Sequence, residues 1–217
     1  LKLTGLKAVI FDMDGLMIDS ERLYIDSERA MAALRGKELP ESCIEKMMGH
    51  KPIESMAIFK EDLSLSESAA ELLAERDALM RDKMEHDLVP MPGLFDLLKA
   101  VSGRFSLAIA TGASRPFLDL TLEGLQIRSL FSALVCADDV SRGKPDPEIY
   151  LSAASRLGVL PGECLVLEDS ANGIRSASSA GCRTIAVPSF YTKDQDFSLA
   201  DKICPSLSDV LPLLAKP

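Results

Sequence analysis

Short apolar runs alternate with longer stretches of helical periodicity along most of the chain, and the alternation breaks once. Residues 6–11, 105–111, 133–137, 164–168 and 184–188 have the length and apolarity of buried parallel strands. Between them Leu94, Leu97, Leu98 and Val101 recur at i, i+3, i+4 and i+7. Leu118, Leu122 and Leu125 follow one helix face, and Ile149, Tyr150, Ala153, Ala154 and Leu157 form a third stripe. These stripes read as core faces without chemistry. Strand and helix in alternation predict βαβ units, hence an α/β fold with a doubly wound parallel sheet.

The break is residues 18–90. This stretch contains no strand-like run but has helical patterns at 21–34 and 67–85, and it ends at the breaker cluster Pro90-Met-Pro-Gly93, which suits a hinge. It predicts an inserted all-helical cap domain, with residues 1–17 and 91–217 forming the core. An insertion at this point enters beside Asp14 and is placed to act as a lid.

Composition narrows the partners. A chain of 217 residues with 47% hydrophobic and 26% charged residues can bury a sizeable core. Its formal charge of -9 argues against nucleic acid and anionic membrane. The same charge requires local cations at the site if the substrate is an anion. No stretch approaches the ~20 apolar residues of a membrane span, and no signal-peptide pattern precedes Asp12, so the expected location is cytoplasmic. Cys43, Cys136, Cys164, Cys182 and Cys204 are odd in number and scattered, and read as reduced core residues. No long apolar stripe lacks a place in the core, so a monomer is expected.

The candidate chemistry lies where the strand-like runs end. Asp12-Met-Asp14-Gly15 follows the first run. In extended backbone residues i and i+2 share a side, so both carboxylates can face one small volume beyond the strand's carboxyl end, where open α/β sheets bind ligands. Two acids so close repel unless a cation or shared proton relieves them; the alternative is a plain Asp-Gly turn. A calcium loop of the EF-hand type is excluded, because its glycine belongs at the sixth position. Thr111-Gly112 ends the second run, offering a hydroxyl, amides and close backbone approach to an anion. In Lys144-Pro-Asp-Pro147 the residues before proline are held extended, with Asp146 expected as N-cap and Pro147 as first helical residue. Glu168-Asp169-Ser170 places two more acids at a strand end, with Ser170 or Asn172 as the cap of the next helix. Together with Asp12 and Asp14 they form an oxygen-only set suited to a hard cation such as Mg²⁺. No His or Cys argues for zinc.

These four motifs, in this order and across essentially the whole chain, resemble the haloacid dehalogenase superfamily, in the branch with a helical cap after the first strand. Residues 11–24, Met48-Gly-His-Lys51, Gly143-Lys-Pro-Asp-Pro147 and residues 167–173 are most similar to the pseudouridine-5'-phosphatase and β-phosphoglucomutase-like groups. The resemblance implies a Rossmann-like core and a phosphatase acting on a small phosphorylated metabolite. It implies Asp12 as nucleophile and Asp14 as general acid, then base. Thr111, Gly112 and Lys144 would bind phosphate. Mg²⁺ would be held by Asp12, the main-chain carbonyl of Asp14 and Asp169, with Glu168 as ligand or supporting base.

Rival readings share parts of this plan. A dehalogenase has no use for a second acid, because halide leaves without a proton. A phosphonate hydrolase would use Lys37, Lys46 or Lys51 as a Schiff base. A phosphosugar mutase shares the whole core but wants an arginine a few residues after the cap glycine, where Pro52 stands instead. A non-catalytic regulatory relative should have lost Asp12, Asp14 or Lys144, and all are present. Substrate choice is expected in the cap, at Glu21, His50 and Lys51.

Overall fold

The computed structural model describes residues 4–48 and 52–214. The chain divides into two compact units, Leu1–Asp19 with Val89–Pro217, and Ser20–Leu88. Strand β1 (Ala8–Phe11) precedes four helices of the second unit, α1 (Ser20–Leu34), α2 (Glu41–Met47), α3 (Pro52–Asp62) and α4 (Ala69–Asp87). The first unit then resumes with α5 (Leu94–Val101), β2 (Ser106–Ala110), α6 (Arg115–Gly124) and β3 (Ala133–Val135). It closes with α7 (Glu148–Leu157), β4 (Cys164–Glu168), α8 (Ala171–Ser179), β5 (Arg183–Ala186), β6 (Lys202–Ile203) and α9 (Leu207–Leu214).

All six strands are parallel, in the order β3-β2-β1-β4-β5-β6. β1 is central because it is apolar on both faces, and every residue of it is fully buried. Ala8 and Ile10 join Ala108, Ala110, Val135 and Val166 in one cluster under α7 and α8, with Tyr150, Ala153 and Ala177 from those helices. Val9, Phe11, Leu107 and Ile109, pointing to the other face, are equally buried. In this order the chain runs outward from β1 in both directions, so the topological switch lies between β1 and β4, and their carboxyl ends lie side by side. Phe11 pairs in register with Leu167, and the Asp12 amide donates to the Leu167 carbonyl at 3.0 Å.

Three local expectations need correction. α7 starts at Glu148 with Pro147 as its N-cap, so Asp146 caps from one residue earlier, its Oδ1 accepting from the Glu148 amide at 3.0 Å. The run over 133–137 ends as a strand at Val135, and Ala137–Asp139 is a 3₁₀ turn closed on Asp139. β6 has no counterpart among the apolar runs, because it is two exposed residues placed by pairing with β5. Ser170 does cap α8, accepting from the Gly173 amide at 3.1 Å.

The helical unit is built around α1 and α4. Ser68 and Glu71 form a reciprocal capping box that starts α4. Leu72, Arg76, Met80 and Met84 recur every four residues on its buried face, so an arginine stands in an otherwise apolar stripe. The Arg76 guanidinium lies 5.0 Å from the Tyr24 ring centre and near Glu28, both on α1. At the other end of α1, Arg35 bonds Glu75 through two nitrogens, at 2.9 and 2.7 Å, and Glu67 at 2.9 Å. Among the described residues no helix is long and apolar enough to cross a membrane, and all five cysteines are free and buried.

Burial pushes the Glu28 carboxyl from its ordinary 4.5 up to about 7, with Arg76 opposing and Glu21 adding to the rise. Between those values the folded chain holds a proton that the unfolded chain has released, so stability falls as pH rises through that window. Glu28→Gln is expected to remove this slope and to stabilise by about 1–3 kcal/mol at pH 8, with little gain near pH 5. Urea unfolding at the two pH values checks it; an equal gain at both would refute it.

Candidate active site

The ends of β1, β2 and β4 and the lead-in to α7 converge on one partly buried lysine. Lys144 Nζ donates to Asp12 Oδ1 at 2.5 Å, to Glu168 Oε1 at 2.6 Å and to the Ala110 carbonyl at 3.1 Å. Those three bonds use every proton of the ammonium. Asp12 and Glu168 both lie in the core, and an acid there is costly without a counter-charge. Burial by itself pulls the lysine down, but Asp12 and Glu168 outweigh it and hold its ammonium well above the usual range. Burial pushes Asp12 up, Lys144 opposes, and the nearby Glu168 and Asp14 add to the rise. The site thus carries more negative charge than one lysine balances.

That excess is the electrostatic case for a cation. Carboxylate oxygens of Asp12, Glu168 and Asp169 lie within 4.8 Å of one another. The donor set is all oxygen and buried, which fits a hard divalent ion. The side chain of Asp14 is outside this trio. Its Oδ2 accepts from the Thr111 hydroxyl at 3.1 Å, and Thr111 Oγ1 accepts from the Ala113 amide at 3.0 Å. The two acids of the first motif therefore face different partners, one the lysine and one the threonine. The hydroxyl that the sequence offers to an anion is directed here at Asp14, while Gly112 is exposed.

Two glycines make room for the acids. A Cβ on Gly15 would fall 2.3 Å from Asp169 Oδ2, and Gly15 has φ +74°, so glycine serves both the turn and the carboxylate. A Cβ on Gly173 would fall 1.7 Å from Glu168 Oε1. Asp169 Oδ2 also accepts from the Thr192 hydroxyl at 3.3 Å, and Thr192 in turn accepts from the Ser189 amide at 2.9 Å. Neither Thr192 nor Tyr150, whose hydroxyl donates to Glu168 Oε1 at 2.9 Å, is marked as functional by the sequence pattern. Tyr150 sits on a stripe that reads as core alone, and its position there is correct, but its polar tip reaches the acid cluster. The available signal is a phenol where a phenyl would fill the same volume.

The match that decides the family spans residues 9–187, which fit the haloacid dehalogenase-like hydrolase model. The chain belongs to the haloacid dehalogenase-like hydrolases. It is a phosphatase-type enzyme of the branch with a helical insert after the first strand. It is 36% identical over 215 residues to (DL)-glycerol-3-phosphatase 1, mitochondrial, of Arabidopsis thaliana, covering 94% of this chain and 71% of that one. It is 35% identical over 181 residues to the phosphorylated carbohydrates phosphatase of Thermotoga maritima, covering 83% and 84%. Among solved structures it is similar to CbbY from Rhodobacter sphaeroides in complex with phosphate, with TM-score 0.81, 26% identity and coverage of 94% and 96%.

Of the cap residues singled out, Glu21 lies half-buried in the first turn of α1. His50 and Lys51 lie outside the described residues. Lys144→Met is expected to leave Asp12 and Glu168 buried without a counter-ion, at a cost of about 3–5 kcal/mol. Urea denaturation in the presence of a chelator measures it, and a loss below ~1 kcal/mol would show that the acids simply take up protons.

Proposed function

We propose that this hydrolase is a Mg²⁺-dependent phosphomonoesterase acting on a small phosphorylated metabolite through an aspartyl-phosphate at Asp12. The observation that carries this is Asp12 itself, fixed by Lys144 beside Asp169, with a second carboxylate two residues on and differently partnered. Asp12 Oδ attacks phosphorus in line, forming the O–P bond of the acyl phosphate as the ester O–P bond breaks. Asp14 gives its proton to the departing alkoxide. It then takes one from water as that water attacks phosphorus, releasing inorganic phosphate and the Asp12 carboxylate.

Charge placement governs such a transfer more than covalent chemistry does. Lys144 opposes the negative charge of the incoming phosphoryl group, and the exposed Gly112 amide offers a donor without a side chain in the way. Thr111 keeps Asp14 in place through its hydroxyl. Asp12, Asp169 and the Asp14 main-chain carbonyl would hold the cation, with Glu168 as ligand or supporting base, and the ion supplies Lewis-acid neutralisation of the phosphoryl oxygens when bound. Glu21, His50 and Lys51 are the proposed readers of the rest of the substrate. Five unpaired, buried cysteines suit the reducing cytoplasm.

Asp12→Asn is expected to abolish turnover of phosphate esters, since an amide cannot form the acyl phosphate, and chelation is expected to do the same. Retention of most of the activity in either assay would overturn the mechanism. Asp14→Asn is expected to cost an alkyl phosphate about 10²- to 10⁴-fold in kcat but an activated aryl phosphate far less. Equal losses on the two substrates would assign Asp14 to positioning alone. In the same assay, glucose 6-phosphate as main product from β-glucose 1-phosphate and its bisphosphate would identify a mutase instead.

A further inference from the structure

Glu168 is held through both of its carboxylate oxygens. Its Oε1 accepts from Lys144 at 2.6 Å and Tyr150 at 2.9 Å, and its Oε2 accepts from the Ser170 amide at 2.8 Å and hydroxyl at 2.9 Å. A carboxylate has about four acceptor sites, so all are taken. Gly173 adds a steric wall, because its missing Cβ is the space that the carboxylate fills. Tyr150 is fully buried among Ile149, Ala153 and Ala154. A buried phenol needs a partner, and the core around it needs only the ring. The same ring has the Lys144 ammonium 5.2 Å from its centre, so Tyr150 touches both members of the ion pair.

We infer that Tyr150 is a positioning residue for phosphoryl transfer: its hydroxyl holds Glu168 Oε1 against Lys144, so that Glu168 orients the phosphate-binding lysine. This rests on the phosphatase reading. It adds to the site a residue of α7 that lies outside the four motifs.

The test compares Tyr150→Phe, Glu168→Gln and the double variant, using the purified protein. Inorganic phosphate binding and Mg²⁺ binding are followed by titration calorimetry, and kcat and KM with an aryl phosphate. Loss of one hydrogen bond to the orienting acid is expected to weaken phosphate binding and raise KM about three- to tenfold in Tyr150→Phe. Mg²⁺ affinity should stay within about twofold, and adding Tyr150→Phe to Glu168→Gln should cost less than about twofold more. Unchanged phosphate binding, a tenfold loss of Mg²⁺ affinity, or fully additive costs would each overturn the inference. If Tyr150→Phe fails to fold, Ser170→Ala, which removes one of the two bonds to the opposite oxygen of the same carboxylate, is held to the same outcomes. A wild-type protein that binds phosphate without hydrolysing esters would overturn the phosphatase reading alone, since the binding comparison does not need turnover.

Discussion

The buried ion pair of Lys144 with Asp12 and Glu168 is the constraint from which the catalytic unit is arranged. One ammonium satisfies an acid from each of two adjacent strands and the last carbonyl of a third, β2. Parallel pairing of β1 with β2 and β4 brings those three atoms level, so the lysine reads the register of the sheet. Burial makes every unpaired charge there expensive. Acids and lysine are thus mutually dependent, and the remaining negative excess falls on the cluster of Asp12, Glu168 and Asp169.

Around this centre, backbone and small side chains do the fine placement. Gly15 and Gly173 each give a carboxylate the volume that a methyl group would occupy. Thr111, Thr192 and Ser170 each fix one acid through a hydroxyl, respectively Asp14, Asp169 and Glu168. Three of the four neighbouring carboxylates thereby gain a hydroxyl of their own, while Asp12 and Glu168 share the Lys144 ammonium. Distinct surroundings are what allow neighbouring acids to take different chemical roles.

The helical unit solves a different problem with similar means. Arg76 and Glu28 place two polar groups in the buried face between α1 and α4, with Tyr24 under the guanidinium. Arg35 ties the end of α1 to Glu67 and to Glu75 on α4 through paired nitrogens and carboxylates.

Much of this protein is legible in its amino-acid sequence alone. Runs such as 8–11 and 164–167 are apolar throughout, as strands buried on both faces require, and residues 18–90 hold none that reads as a strand. The four acids, the lysine and the threonine stand close behind such runs, so their meeting at one sheet edge follows from topology. What local pattern cannot carry is anything set by contact across the chain. β6 exists because β5 offers an edge. Arg76 is inside because a neighbouring helix supplies partners at that height. Tyr150 looks like one more apolar stripe residue until folding brings its hydroxyl to Glu168, eighteen residues on in the chain. Periodicity reports which face of an element is buried; only tertiary packing decides which polar atom a buried side chain meets.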